Sequence, residues 1–156
     1  MICHRKGDIL LLKEIITSIE IKSNPEKVWK VLTDFQLYKY WNPFIIEIAG
    51  SPTKGEKIKI ELRTAAQKTR VYRPVITKVD PPTELRWHGK ALLPLLLSGE
   101  HIFTIQENEG QDSIFTQKEI FKGLGAYLGN ARMFNDIRKS FQMMNSSLKI
   151  RAEGSE

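Results

Sequence analysis

A single cysteine, Cys3, stands in a chain of 156 residues, so no internal disulfide can hold this protein together. The three histidines, at positions 4, 88 and 101, share no ligand spacing with one another or with Cys3. That excludes the recognisable zinc arrangements, and neither a metal nor a cofactor is expected. No stretch approaches the roughly 18 consecutive apolar residues of a spanning helix. The apolar runs Ile9 to Leu12 and Leu92 to Leu97 are too short. The first follows Arg5 and Lys6 but lacks the full apolar region and small-residue cleavage site of a secretory signal. A cytoplasmic protein without a transmembrane segment is expected, with contact at a membrane surface left open. With 10 glycines and 7 prolines, the chain is neither collagen-like nor low-complexity.

What is present suits one folded domain. A chain of this length falls in the range of about 100–200 residues per domain, and at 41% hydrophobic and 27% charged residues it can build one sizeable core. The net charge of +6 is uneven. Residues 126–151 carry Arg132, Arg138, Lys139, Lys149 and Arg151 against Asp136 alone. Without aromatic residues interleaved for base stacking, this run reads as a solvated helix face, and no nucleic-acid partner is expected.

Ile15, Thr17, Ile19 and Ile21 alternate with Ile16, Ser18 and Glu20, the period of a strand with one buried face, over about 13–22. Ser23-Asn24-Pro25-Glu26 supplies a cap oxygen, a proline suited to the first helical turn and an early acid, so a helix starts near Pro25. A second short helix follows from Phe35 to Tyr40 and ends at Trp41-Asn42-Pro43. Six strands are then predicted near 44–49, 56–63, 70–79, 83–90, 98–107 and 112–122, most of them separated by turn-forming residues. Phe134, Ile137, Phe141, Met144 and Leu148 form one helical stripe, predicting a terminal helix over about 126–150. Residues 1–12 read as a loosely held leader, 13–151 as one domain and 152–156 as a tail.

One strand, two short helices, six antiparallel strands and a long terminal helix make an α+β pattern. Several blocks carry a more specific resemblance: Asn24-Pro25-Glu26-Lys27-Val28-Trp29 with Leu32-Thr33-Asp34-Phe35, Tyr40-Trp41-Asn42-Pro43-Phe44-Ile45, Pro81-Pro82-Thr83-Glu84-Leu85-Arg86-Trp87, Gly99-Glu100-His101-Ile102-Phe103 and Gln117-Lys118-Glu119-Ile120-Phe121-Lys122-Gly123-Leu124. In that order the chain resembles the START-like, or SRPBCC, superfamily, in its polyketide cyclase/dehydrase and lipid-transport-like branch. The resemblance implies a helix-grip fold, a curved seven-stranded antiparallel sheet wrapped around the terminal helix with an apolar cavity between them. It also implies binding, transport or chemical modification of a hydrophobic small molecule, lipid-like, aromatic or polyketide-like.

Alternation places His101, Phe103 and Ile105 on one face, and Phe115, Gln117, Glu119 and Phe121 on one face of the next strand. If the two strands form a hairpin with a five-residue loop, His101 lies opposite Glu119; with a three-residue loop it lies opposite Gln117. Either way polar groups meet in an apolar wall. They can satisfy each other, orient a ligand carbonyl or hydroxyl, or act as acid and base in a metal-free cyclase or dehydratase. Trp41, Phe44 and Trp87 are further candidates for the ligand wall, and Phe134, Ile137 and Phe141 for its helical floor; Trp29 reads as core. The cavity expected there has the usual size of about 300–1,000 Å³. The segment containing Leu92, Leu93, Leu95, Leu96 and Leu97 is apolar where a loop is usually polar, which suggests a gate or a contact with membrane or a second copy. Monomer and homodimer both remain open, as does a protein-interaction role. Ser98, Ser113 and Thr116 have no base in a nucleophile arrangement, and Gly50 to Gly55 matches no phosphate-binding loop.

Overall fold

The computed structural model describes residues 12–90, 98–123, 126 and 130–154. Residues 1–11 of the expected leader, the Leu92 to Leu97 segment and the last two residues of the expected tail lie outside the described residues. Strand β1 (Leu12–Ile21) buries Ile15 and Ile21 on the face that alternation selects. The Asn24 side chain accepts from the Lys27 N–H at 2.9 Å and, with Pro25 in the first turn, starts α1 (Pro25–Thr33). A 3-10 turn (Phe35–Leu37) and the short α2 (Tyr38–Trp41) follow. Asn42 ends α2, and its Oδ1 accepts from the N–H groups of Phe44 and Ile45 at 3.0 and 2.9 Å. The chain thereby turns into β2 (Ile45–Ala49).

Seven further strands were not expected, only six: β2 is followed by β3 (Lys59–Arg63), β4 (Thr69–Tyr72), β5 (Val75–Asp80), β6 (Glu84–Lys90), β7 (Ser98–Glu107) and β8 (Ser113–Lys122). The total is eight rather than seven because the single strand expected over 70–79 is two. Pro74 has no N–H to give a ladder, so pairing breaks there. On one side of it β4 pairs with β3; on the other β5 pairs with β6. The sheets run β2-β3-β4 and β1-β8-β7-β6-β5. They meet where Lys57 bridges Val75 and the Ile58 N–H donates to the Pro74 carbonyl at 3.0 Å.

The terminal helix α3 (Ala131–Glu153) begins where the Asn130 side chain accepts from the Met133 N–H, later than the expected 126. It also runs past the expected end: Ala152 is fully buried and the Glu153 carboxylate accepts from the Lys22 N–H at 2.7 Å. Residues 152 and 153 therefore belong to the packed helix and not to a tail. The helix packs against β1, β8, α1 and α2, and the β3–β4 turn is fastened to it by the Ala65 N–H donating to Ser140 Oγ at 2.9 Å. Two members of the basic run have a structural task. Arg138 donates to the Ile16 carbonyl at 3.2 Å and Lys149 to the Glu20 carbonyl at 2.7 Å, satisfying backbone groups on the free edge of β1. No helix among the described residues is long and apolar enough to cross a membrane.

Candidate functional site

The β7–β8 hairpin adopts the five-residue loop, since Glu107 pairs with Ser113. His101 consequently lies opposite Glu119, and Phe103 opposite Gln117. The alternative register, with His101 facing Gln117, is not adopted. His101 is 5% exposed, and its Nδ1 lies 2.5 Å from Glu119 Oε2. An ionised carboxylate can only accept, so Nδ1 carries the hydrogen of this contact. In the neutral ring the lone pair then resides on Nε2, which is buried and has no partner among the described residues.

The space for the Glu119 carboxylate comes from Gly99, two residues before His101 on the same strand face. A Cβ built on Gly99 would collide with Glu119 Oε1. Tyr72 approaches from the other sheet: burial pushes its phenol pKa up, the Arg70 charge opposes that, and the Glu119 charge reinforces it.

Around the imidazole the wall is aromatic. Phe103 stacks on it with centroids 4.3 Å apart, Phe141 of α3 tilts against it at 5.0 Å, and Trp87 of β6 lies at 5.4 Å. Phe44 joins through Phe141 at 5.5 Å. Phe44, Trp87, His101, Phe103, Glu119 and Phe141 are thereby brought together. Gln117 is fully buried on the same face of β8. Its Nε2 donates toward Met144 Sδ at 3.2 Å and Asn145 Oδ1 at 3.4 Å, while Asn145 Nδ2 donates to Thr17 Oγ1 at 2.9 Å. Gln117 Oε1 is left buried without a partner among the described residues.

Other candidates lie apart. Trp41 packs edge-on against Tyr38 at 4.9 Å, with a buried indole N–H that has no described partner. Phe134 meets Phe121 at 5.6 Å and the Lys13 ammonium at 3.7 Å and has no ring contact with the His101 group among the described residues. Ile137 is half-buried against the core.

Among the described residues, the space beside His101 expected for a cavity is occupied by side chains. Between the sheet and α3, Phe103, Phe115, Phe141 and Met144 are at most 1% exposed, and the rings at His101 are in mutual contact. Two depressions among the described residues are on the outside. One, of about 280 Å³, lies among Phe35, Gln36, Lys39, Glu47 and Ile48; the other, of about 520 Å³, is wide open between Pro43 and the Lys139 to Ser147 face of α3. Sequence periodicity identifies the inward face, but it cannot tell whether facing rings leave a gap or meet.

Residues 14–153 match the family described as polyketide cyclase / dehydrase and lipid transport. The chain belongs to this family. Its fold is also that of solved structures with low sequence identity. Protein MLL2253 from Mesorhizobium loti is 16% identical, with a TM-score of 0.72 over 92% of this chain and 99% of that one. A START superfamily protein from Mycobacterium smegmatis is 12% identical, with a TM-score of 0.68 over 90% of this chain and 97% of that one. BexL, a di-domain ARO/CYC protein from the BE-7585A biosynthetic pathway, is 14% identical, with a TM-score of 0.72; the match covers 94% of this chain and 52% of BexL. No curated protein matches the chain.

Sequence reasoning overlooked Gly99, Tyr72 and Asn145. Asn145 carried a signal, since it sits beside Met144 and four residues from Phe141, on the stripe that is otherwise apolar. Gly99 carried none, because its role depends on where a side chain of the neighbouring strand ends.

Proposed function

We propose that the protein binds a hydrophobic small molecule between β6–β8 and α3, and that His101 receives the ligand's polar group. The observation that carries this reading is the buried Nε2 of His101, without a partner among the described residues and set in a wall of rings. A polar atom left so costs a few kcal/mol, and a ligand that reaches it recovers that cost. Membership in a polyketide cyclase/dehydrase and lipid-transport family, and the likeness to an ARO/CYC protein, support an apolar or aromatic ligand. Entry requires the Phe141 ring to leave His101, so binding is coupled to a small movement of the α3 side of the wall. Native mass spectrometry of freshly purified protein should show a bound small molecule, and His101→Gln should weaken its retention by about 1–3 kcal/mol. A protein that retains nothing and binds no apolar fluorescent probe would overturn the reading.

The contact between Nδ1 and Glu119 favours a second reading, a cyclase or dehydratase. A carboxylate that holds the Nδ1 hydrogen presents Nε2 as a base to an enolisable substrate. Turnover that falls by about 10²–10⁴-fold in His101→Gln, with ligand affinity largely kept, would select this reading over simple binding.

A further inference from the structure

We infer that the ligand is a hydrogen-bond donor, an apolar molecule bearing hydroxyl groups, and not one whose polar end is a carbonyl, carboxylate or phosphate. This rests on the ligand-binding reading above and specifies its chemistry. Two buried polar atoms on the inner face of the β7–β8 hairpin have no partner among the described residues, His101 Nε2 and Gln117 Oε1. With the imidazole neutral, both are acceptors, for separate reasons. At His101, Glu119 accepts from the Nδ1–H at 2.5 Å, so in the neutral ring the lone pair is on Nε2. At Gln117, the amide orientation is set by what its nitrogen faces. Met144 Sδ at 3.2 Å can only accept, and Asn145 Oδ1 lies toward the same nitrogen at 3.4 Å while Asn145 Nδ2 donates to Thr17 Oγ1. Oε1 is the atom left over.

The register makes these atoms neighbours. His101 is opposite Glu119 and Phe103 opposite Gln117, so His101 and Gln117 are diagonal partners on one face, roughly 7–8 Å apart at the backbone. One ring-sized ligand can address both with two hydroxyls, while its rings replace the contacts of Phe103 and Phe141. A carbonyl or carboxylate in the same place would set lone pairs against lone pairs, beside the charge of Glu119.

The test compares three probes of one carbon skeleton by titration calorimetry on the full chain: a naphthalene diol, its dimethyl ether and the matching dicarboxylate. The diol is expected to bind at least about tenfold more tightly than the ether, the factor that two net hydrogen bonds supply, and the dicarboxylate more weakly still. In Gln117→Leu and His101→Phe, checked for folding by thermal melts, the preference of diol over ether should shrink. Equal binding of diol and ether overturns the donor assignment and leaves the ligand-binding reading standing. A dicarboxylate that binds best overturns it too, because Nε2 would then carry a hydrogen. A diol preference unchanged in both variants overturns the assignment to these two atoms. Binding of none of the three overturns both the donor class and the reading beneath it.

Discussion

Gly99→Ala is the sharpest probe of the His101 environment, because it adds one methyl group and replaces neither member of the pair. The new Cβ would collide with Glu119 Oε1. That atom is the end of a flexible side chain, so the collision itself is relieved cheaply by rotation. The consequence lies elsewhere: a rotated carboxylate leaves Nδ1, and a buried, charge-assisted hydrogen bond is lost. Such bonds contribute about 1.5–3 kcal/mol. Alanine returns about 0.5–1 kcal/mol by restricting the unfolded strand, so the net loss is about 1–2 kcal/mol. Urea unfolding reads this directly. Nitrogen NMR of the imidazole reads the cause, since the hydrogen on Nδ1 loses its acceptor. In a Glu119→Gln background most of the cost of Gly99→Ala should vanish, because the charged contact is already gone, and a double-mutant cycle measures that coupling. If Gly99→Ala stabilises the protein and leaves the imidazole spectrum unchanged, the carboxylate does not depend on the glycine, and the reasoning fails.

Phe141→Ala removes the ring that touches both His101 and Phe44; it should destabilise by about 3–5 kcal/mol while strengthening the binding of small apolar probes such as benzene, which calorimetric melts and titration can follow. Burial works to raise the Glu84 carboxyl pKa, but hydrogen bonds from Arg86 and Lys78 outweigh it and hold it below the ordinary range. A depressed carboxylate adds stability above its unfolded value and loses it as pH falls through the folded one. The stability difference between the protein and Glu84→Gln should therefore be full at neutral pH and shrink below about pH 4.3; a difference that stays constant down to pH 2 would refute the assignment.

The inward faces of β7 and β8 were readable in the sequence, because a period of two is local and the phenylalanines mark its phase. So was α1, whose cap, proline and acid occur together at 24–26. The strand count was not, since Val71 to Val79 reads as one alternating run and only the missing N–H of Pro74 divides it between two sheets. The hairpin register was narrowed to two choices and no further. Loop length decides it, and Glu109 to Gln111 form a 3-10 turn that composition does not announce. The candidate site was legible as a face and not as a volume. Whether Phe103, Phe141 and Trp87 enclose a space depends on ring positions drawn from three elements, the terminal helix being far from the other two in the chain. The polar link from Gln117 through Asn145 to Thr17 spans the same distances and was equally out of reach.

The pairing of β1 has a consequence for how this chain is made. Leu12 to Ile21 find their partners in Ser113 to Lys122, about a hundred residues later, and the helix whose Arg138, Lys149 and Glu153 cover the outer edge of β1 is later still. At synthesis rates of roughly 5–20 residues per second, the strand that emerges first waits on the order of ten seconds for its neighbour. Contacts of such long range also slow folding after release. During that interval an alternating run rich in isoleucine has no sheet to join. Lys13, Glu14, Glu20 and Lys22, interspersed along it, are the kind of charged residues that keep an unpaired strand from joining its counterpart on another nascent chain.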